Sequence, residues 1–250
     1  MGKFFTTEVI KPTILASDQH DGTFASGNII FDWQAVQVPR GSSALVGATV
    51  LMRPQPDASP VVNNIAIDLV FASSNSISLG TINDPALHRP NNSFLGVLEI
   101  TSGHYGATQL QGTAIATTSQ GSTSASAPLV LTPDINTGDN VGYDTLYVGG
   151  VSRGDLIFGP SINAVNETGF GAAAQTVITM DDASGGTTMD CREHFIAGDV
   201  LHAQDDAVLG TLASVAAQEI TLTAANTDAI AENDLIYNIN PIRIILQFER

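Results

Sequence analysis

The chain reads as an all-β protein, and three observations carry that reading. It holds 23 glycines and 11 prolines in 250 residues, many Ser, Thr, Asn and Asp, and only two lysines, Lys3 and Lys11, a composition rich in turn formers and poor in helix formers. Short apolar runs alternate with turn residues at nearly regular spacing, most legibly over residues 197–238. Several of these runs alternate with period two, as strands with one buried face do. The expected architecture is an N-terminal antiparallel β-sandwich, jelly-roll-like, formed by residues 17–128 plus 241–250. An extended arm, 1–16, precedes it, and a small β-barrel-like domain is inserted at 129–240.

Taken in order, residues 1–16 are extended, because Pro12 interrupts any helix, and Phe4, Phe5, Val9 and Ile14 need cover from a sheet or a neighbouring subunit. These four are the candidate subunit or capsid contacts. Residues 28–38 form a half-buried strand in which Ile29, Phe31 and Trp33 alternate with Ile30, Asp32 and Gln34. The run ALVGATVLM at 44–52 is apolar on both faces and reads as a central strand. Residues 64–72 give the clearest period-two signal of the first half, with Ile65, Ile67, Leu69 and Phe71 on one face. A polar loop at 73–93 has a length typical of binding or inter-subunit elements. Strands follow at 94–101 and 108–118.

The low-complexity stretch SQGSTSASAP at 119–128 marks a boundary or an exposed hairpin tip. Beyond it, short strands are expected at 129–131, 145–148, 155–158 and 176–180. The unit at 197–238 contributes a strand at Val200-Leu201, a turn at Asp205-Asp206, returns at 208–215 and 219–223, and a last pass at 234–239. Only 227–233, with Asp228 placed as a cap, has a helical look. After Pro241, Ile242, Ile244, Leu246 and Phe248 share one face of a terminal strand apolar enough to require a partner. The chain is therefore expected to leave the inserted domain and complete the first sheet.

Charge and cysteine usage narrow the function classes. Nine Lys and Arg against 25 Asp and Glu give a formal net charge of −16, which repels phosphate backbones and anionic membranes, and the arginines stand singly in the sequence. Neither nucleic acid nor membrane is expected as a partner, and no apolar run approaches the ~18 residues a spanning helix needs. A lone cysteine, Cys191, leaves no intrachain disulfide. The start of the chain shows no signal-peptide pattern. Gly2 with Thr6 matches a myristoylation pattern, but Phe4-Phe5 reads as a packed first strand.

Candidate chemistry is sparse. The run from Asp134 to Asp144 spaces oxygen ligands as calcium loops do, but Gly138 and Asp139 stand out of place, Thr145 replaces the closing Glu, and an Asx-rich turn accounts for it. The pairs Asp181-Asp182 and Asp205-Asp206 read as turn carboxylates. His104, His194 and His202 with Cys191 do not reach the three or four ligands of a zinc site, and Cys191 and His194 have no evident orienting partner for nucleophilic catalysis. No catalytic, metal or cofactor site is expected. Gly149-Gly150 and Gly185-Gly186 lack the context of a phosphate loop, and the sequons at Asn91 and Asn166 lack a secretory signal.

The segments FASSNSISLG (71–80), AGDVL, EITLTAAN and the terminal PIRIILQFER resemble virion structural proteins of tailed, especially marine, bacteriophages. The resemblance implies a non-enzymatic capsid decoration, or cement, protein: an all-β subunit, often a homotrimer, that binds the major capsid protein and its own neighbours on the capsid exterior. Such a protein is assembled in the host bacterial cytoplasm. The acidic balance, the lone cysteine and the apolar N-terminal arm agree with that expectation. A tail, baseplate or fibre protein of the same virion is the alternative, and a carbohydrate-binding or carbohydrate-active β-sandwich is the second alternative.

Overall fold

The structure, a computed structural model, describes residues 5–40, 42–54, 62–86, 94–106, 113–118, 129–131, 144–158, 162–163, 174–180, 190–230 and 234–250. It is all-β, and the described helical segments are short: α1 at Ala16–His20, a 3-10 turn at Ser102–His104 and α2 at Cys191–His194. No described helix is long and apolar enough to cross a membrane.

Two antiparallel sheets build the sandwich. The first contains β1 (Phe5–Ile10), β3 (Ser43–Met52), β6 (Ala114–Thr117), β7 (Leu129–Leu131) and β15 (Ile242–Glu249), in the order β1-β15-β3-β6 with β7 also on β3. The second contains β2 (Ile29–Gln37), β4 (Ile67–Ala72), β5 (Phe94–Ile100) and β8 (Thr145–Ser152), in the order β2-β8-β4-β5. The alternation read at the end of the chain is what closes this fold. Ile242, Ile244, Leu246 and Phe248 are fully buried, and β15 pairs with β3 along its whole length, from Ile242↔Met52 to Glu249↔Ala44. β3 has strands on both sides, as its continuous apolar run anticipates, and sends Leu45, Ala48, Val50 and Met52 into the same core as Ile67, Leu69 and Phe71 of β4.

β2 departs from simple alternation. Ile29, Ile30 and Phe31 are all buried because register shifts between Ile29 and Phe31 and between Phe31 and Gln34 turn the strand, after which Val36 faces inward. Opposite it, a Cβ on Gly150 of β8 would run into the Phe31 ring, and one on Gly149 into the Leu79 side chain. Those two glycines serve close packing between strands. The described part of the loop at 73–93, residues 73–86, is pinned to β2: Leu79 N–H donates to Asp32 Oδ1 (2.9 Å), and Trp33 Nε1 donates to the Ile77 carbonyl (2.9 Å). The Ile29 N–H also donates to Asp84 O (2.9 Å), so these residues pack against their own chain.

A second unit consists of β9 (Ile162–Asn163), β10 (Val177–Thr179), β11 (Val200–Ala203), β12 (Val208–Val215), β13 (Glu219–Leu222) and β14 (Leu235–Asn238). They form one antiparallel path, β10-β13-β12-β11-β14-β9, over a separate core that includes Ile178, Phe195, Leu201, Leu212, Ile220 and Ile236. Gly198 (φ +92°) and Gly210 (φ +122°) occupy the left-handed region that a side chain disfavours, and Asp206 (φ +68°) turns the β11–β12 hairpin. The expected division at residue 129 is corrected by pairing: β7 lies on β3, and β8 lies between β2 and β4, so both belong to sandwich sheets. Likewise Asp155 to Phe158 is not a strand. It makes a single bridge, Phe24↔Leu156.

The N-terminal segment joins both units. β1 pairs with β15, from Phe5↔Glu249 to Ile10↔Ile244. The chain then crosses to the second unit, where Ile14 N–H donates to Ile239 O (2.8 Å), and Gln19 Nε2 bridges the carbonyls of Ile14 (2.8 Å) and Asn238 (3.0 Å). Ser17 donates through its N–H and its hydroxyl to the two oxygens of Asp206 (3.1 and 2.6 Å).

Candidate functional site

The residues expected to carry contacts separate into two kinds. Phe5 and Val9 lie on the outer face of β1, with 66% and 47% of their surface exposed. Ile14, two residues before α1, is fully buried in the sandwich core, so it is a packing residue and not a contact. Phe4 lies outside the described residues. β1 pairs only with β15 among the described residues, which leaves its other edge without a strand partner.

Where they are described, the residues weighed for chemistry lie in turns, caps and the second unit's core. Cys191 and His194 share the single turn of α2 and are both buried. Burial, assisted by the neighbouring Asp190 charge, pushes the Cys191 thiol up to about 12, the wrong direction for a nucleophile at neutral pH. Burial also holds His194 below the ordinary imidazole range, against the opposing pull of Asp190, and its Nε2 has no hydrogen-bond partner. His104 Nδ1 accepts the Thr101 N–H (2.9 Å) in a capping arrangement, and His20 Nδ1 lies 2.8 Å from the Tyr237 hydroxyl. Asp205 accepts the Ala207 N–H (3.1 Å), and Asp206 is held by Ser17. No group of three or more His, Cys, Asp or Glu among the described residues is arranged to hold a metal ion. Of the calcium-like run only Asp144 is described, and its carboxylate lies 3.9 Å from Arg40. Asp181-Asp182, Gly185-Gly186 and both sequons also fall outside the described residues.

The arrangement with the most chemical content is one that the linear sequence conceals. A cleft of about 320 Å³ opens where the outer face of the first sheet meets α2 and the turn before β11. Its floor is a cross-strand row in which Arg243 of β15 pairs with Leu51 of β3, and Leu51 with Ile115 of β6. One step beyond the last β1–β15 pair, Lys11 continues this row. The opposite wall supplies Arg192, Glu193, Ile196 and Asp199. At the base, Arg53 donates to both oxygens of Asp199 (2.6 Å each), with only 20% and 11% of the two side chains exposed. Asp199 Oδ2 also accepts the Ile196 N–H (2.9 Å), so this carboxylate is fully engaged. Arg192 is paired with Asp190.

Four of the chain's nine cations thus line one cleft, together with two of its 25 carboxylates. They stand singly in the sequence because the segments that carry them are distant in the chain. No period or motif links them, and the signal is the sheet register itself.

Compared with protein-family models, curated proteins and solved structures, the chain gives no match. What defines its class is the fold: an all-β sandwich-type protein with a second antiparallel sheet unit.

Proposed function

We propose that the chain is a non-enzymatic structural subunit of a virion, of the capsid decoration type, which works by seating on other protein surfaces. The observation that carries this reading is the β1 rim. Phe5 and Val9 project from a strand whose outer edge has no partner among the described residues, and monomeric proteins normally blunt such an edge with charge, proline or a covering element. A second subunit or the capsid lattice supplies the cover, through side-chain burial and added strand pairing. The capping and turn roles of His104, Asp190, Asp205 and Asp206 fit a scaffold. A net charge of −16 suits an outward-facing shell component, because it keeps the free subunit soluble and apart from the packaged nucleic acid.

The test is association. Phe5→Asp with Val9→Asp, both surface changes, is expected to abolish oligomer formation and binding to purified capsids, measured by mass photometry and co-sedimentation, with an unchanged far-UV spectrum. Undiminished association of the double variant removes the β1 rim from the argument. Labelling of the tail instead of the capsid shell in intact particles overturns the decoration reading in favour of a tail or fibre component.

A further inference from the structure

We propose that the cleft between the first sheet and the second unit receives an acidic peptide segment of a partner protein. A carboxylate of that segment is held by Lys11 and Arg243, and an apolar side chain rests on Leu51, Ile115 and Ile196. Such binding does not rest on the virion role proposed above.

Charge is the first argument. The molecule carries a formal −16, yet the cleft lining carries four cations and two carboxylates. Two of those cations are accounted for: Asp199 engages Arg53, and Asp190 engages Arg192. Lys11 and Arg243 have no ion pair among the described residues, and both are exposed. The register continues them into neighbouring positions across β1 and β15, where like charges repel. Asp199 cannot relieve that repulsion, since Arg53 and the Ile196 N–H already occupy both of its oxygens. An incoming carboxylate does relieve it, and Arg243 offers the planar fork that matches one.

The lining then selects among anions. Among the described residues it holds no aromatic side chain to stack on a nucleobase or a sugar ring. Leu51 and Ile115 form a half-buried apolar strip beside the cations, and Ile196 faces it with 53% of its surface exposed. Cations beside an apolar strip in an open trough match a peptide that alternates carboxylate and aliphatic side chains. Glu193, on the opposite wall, acts against the same ligand and sets a limit on its charge.

The experiment uses the full chain and a fluorescein-labelled Glu-Leu-Glu-Leu-Glu peptide, followed by fluorescence anisotropy at low salt. Saturable binding is expected, with Lys11→Ala and Arg243→Ala each weakening it about fivefold and the pair about twentyfold, the size of one and two exposed ion pairs. Glu193→Gln tightens binding, Arg40→Ala, outside the cleft, leaves it unchanged, and a Gln-for-Glu peptide does not bind. Absence of saturable binding, or equal binding by the double variant, overturns the proposal. Displacement of the peptide by ATP at lower concentration than by unlabelled peptide overturns the ligand class.

Discussion

The sandwich and the second unit are both antiparallel and both all-β, yet they hold together differently. In the sandwich, long strands such as β3 and β15 pair over eight residue positions, and two sheets close on a shared core of 26 described residues. The second unit spreads six mostly short strands along one path over a core of 12 described residues. It uses positive-φ positions before β11 at Gly198, in the β11–β12 turn at Asp206 and within β12 at Gly210, and β12 carries a register shift between Leu212 and Ser214. Buried apolar area sets the scale of stability. The sandwich is expected to be the more stable unit, and among the described residues the Arg53–Asp199 pair and the N-terminal segment link the second unit to it.

The sharpest way to break this comparison is to remove equivalent core contacts from each side. Phe248→Ala opens a cavity between the two sheets and is expected to cost about 3–5 kcal/mol, lowering the urea midpoint of the whole chain. Leu201→Ala, at a fully buried site in β11, is expected to cost about 2–4 kcal/mol, confined to the second unit. Hydrogen exchange separates the two outcomes: the Leu201 variant loses amide protection in β11 to β13 while β3 and β15 keep theirs. Equal deprotection of β3 would make the two units one cooperative block.

A smaller effect is expected at the junction. Arg53 and Asp199 join β3's end to the turn before β11, largely out of solvent. Asp199→Ala leaves the guanidinium and the Ile196 N–H without their acceptor, at a cost of about 1–3 kcal/mol. The measured consequence should be uncoupling, with calorimetry resolving two transitions where the parent chain gives closer or merged ones. Arg40→Ala is the control, since Arg40 is 74% exposed and lies 3.9 Å from Asp144. An identical melting profile for Asp199→Ala would show that the N-terminal segment alone couples the units.

How much of this was legible in the sequence follows from the range of the signals. Period-two runs and turn residues are local, so the hairpins of the second unit emerge close to their observed bounds, and the return of β15 follows from its apolar face and Pro241. The division at residue 129 was misplaced because low complexity is also a local signal. Which sheet a strand joins is decided by partners far along the chain, as when β8 enters between β2 and β4. Ile14 looked like a contact for the same reason: apolar character shows the need for cover, but only the crossing toward Ile239 shows that the chain itself supplies it. The cleft was invisible because Lys11, Arg53, Arg192 and Arg243 become neighbours only through register and the docking of the second unit.

The finest test concerns a polar flaw in the smaller core. Among the described residues, His194 is the one buried histidine, and it sits on α2 between Cys191 and Phe195, both in the second unit's core. Burial lowers its folded-state pKa below the ordinary value of 6.5, with Asp190 opposing. Between those two values the unfolded chain binds a proton that the folded chain does not. Stability is therefore fully present above about 6.5 and declines as pH falls toward the folded value, with a slope of at most about 1.4 kcal/mol per pH unit. Carboxylates titrate in the same direction of travel, so the comparison must be with a His194→Leu variant, which removes the unpartnered Nε2 without opening a cavity. Urea midpoints at pH 8 and pH 5 should diverge between the two chains, with the parent losing more. The loss should appear as deprotection of α2 and β11 to β13 while the sandwich amides stay unchanged. Parallel losses in both chains would clear His194, and would leave the weaker unit's pH response to its surface acids.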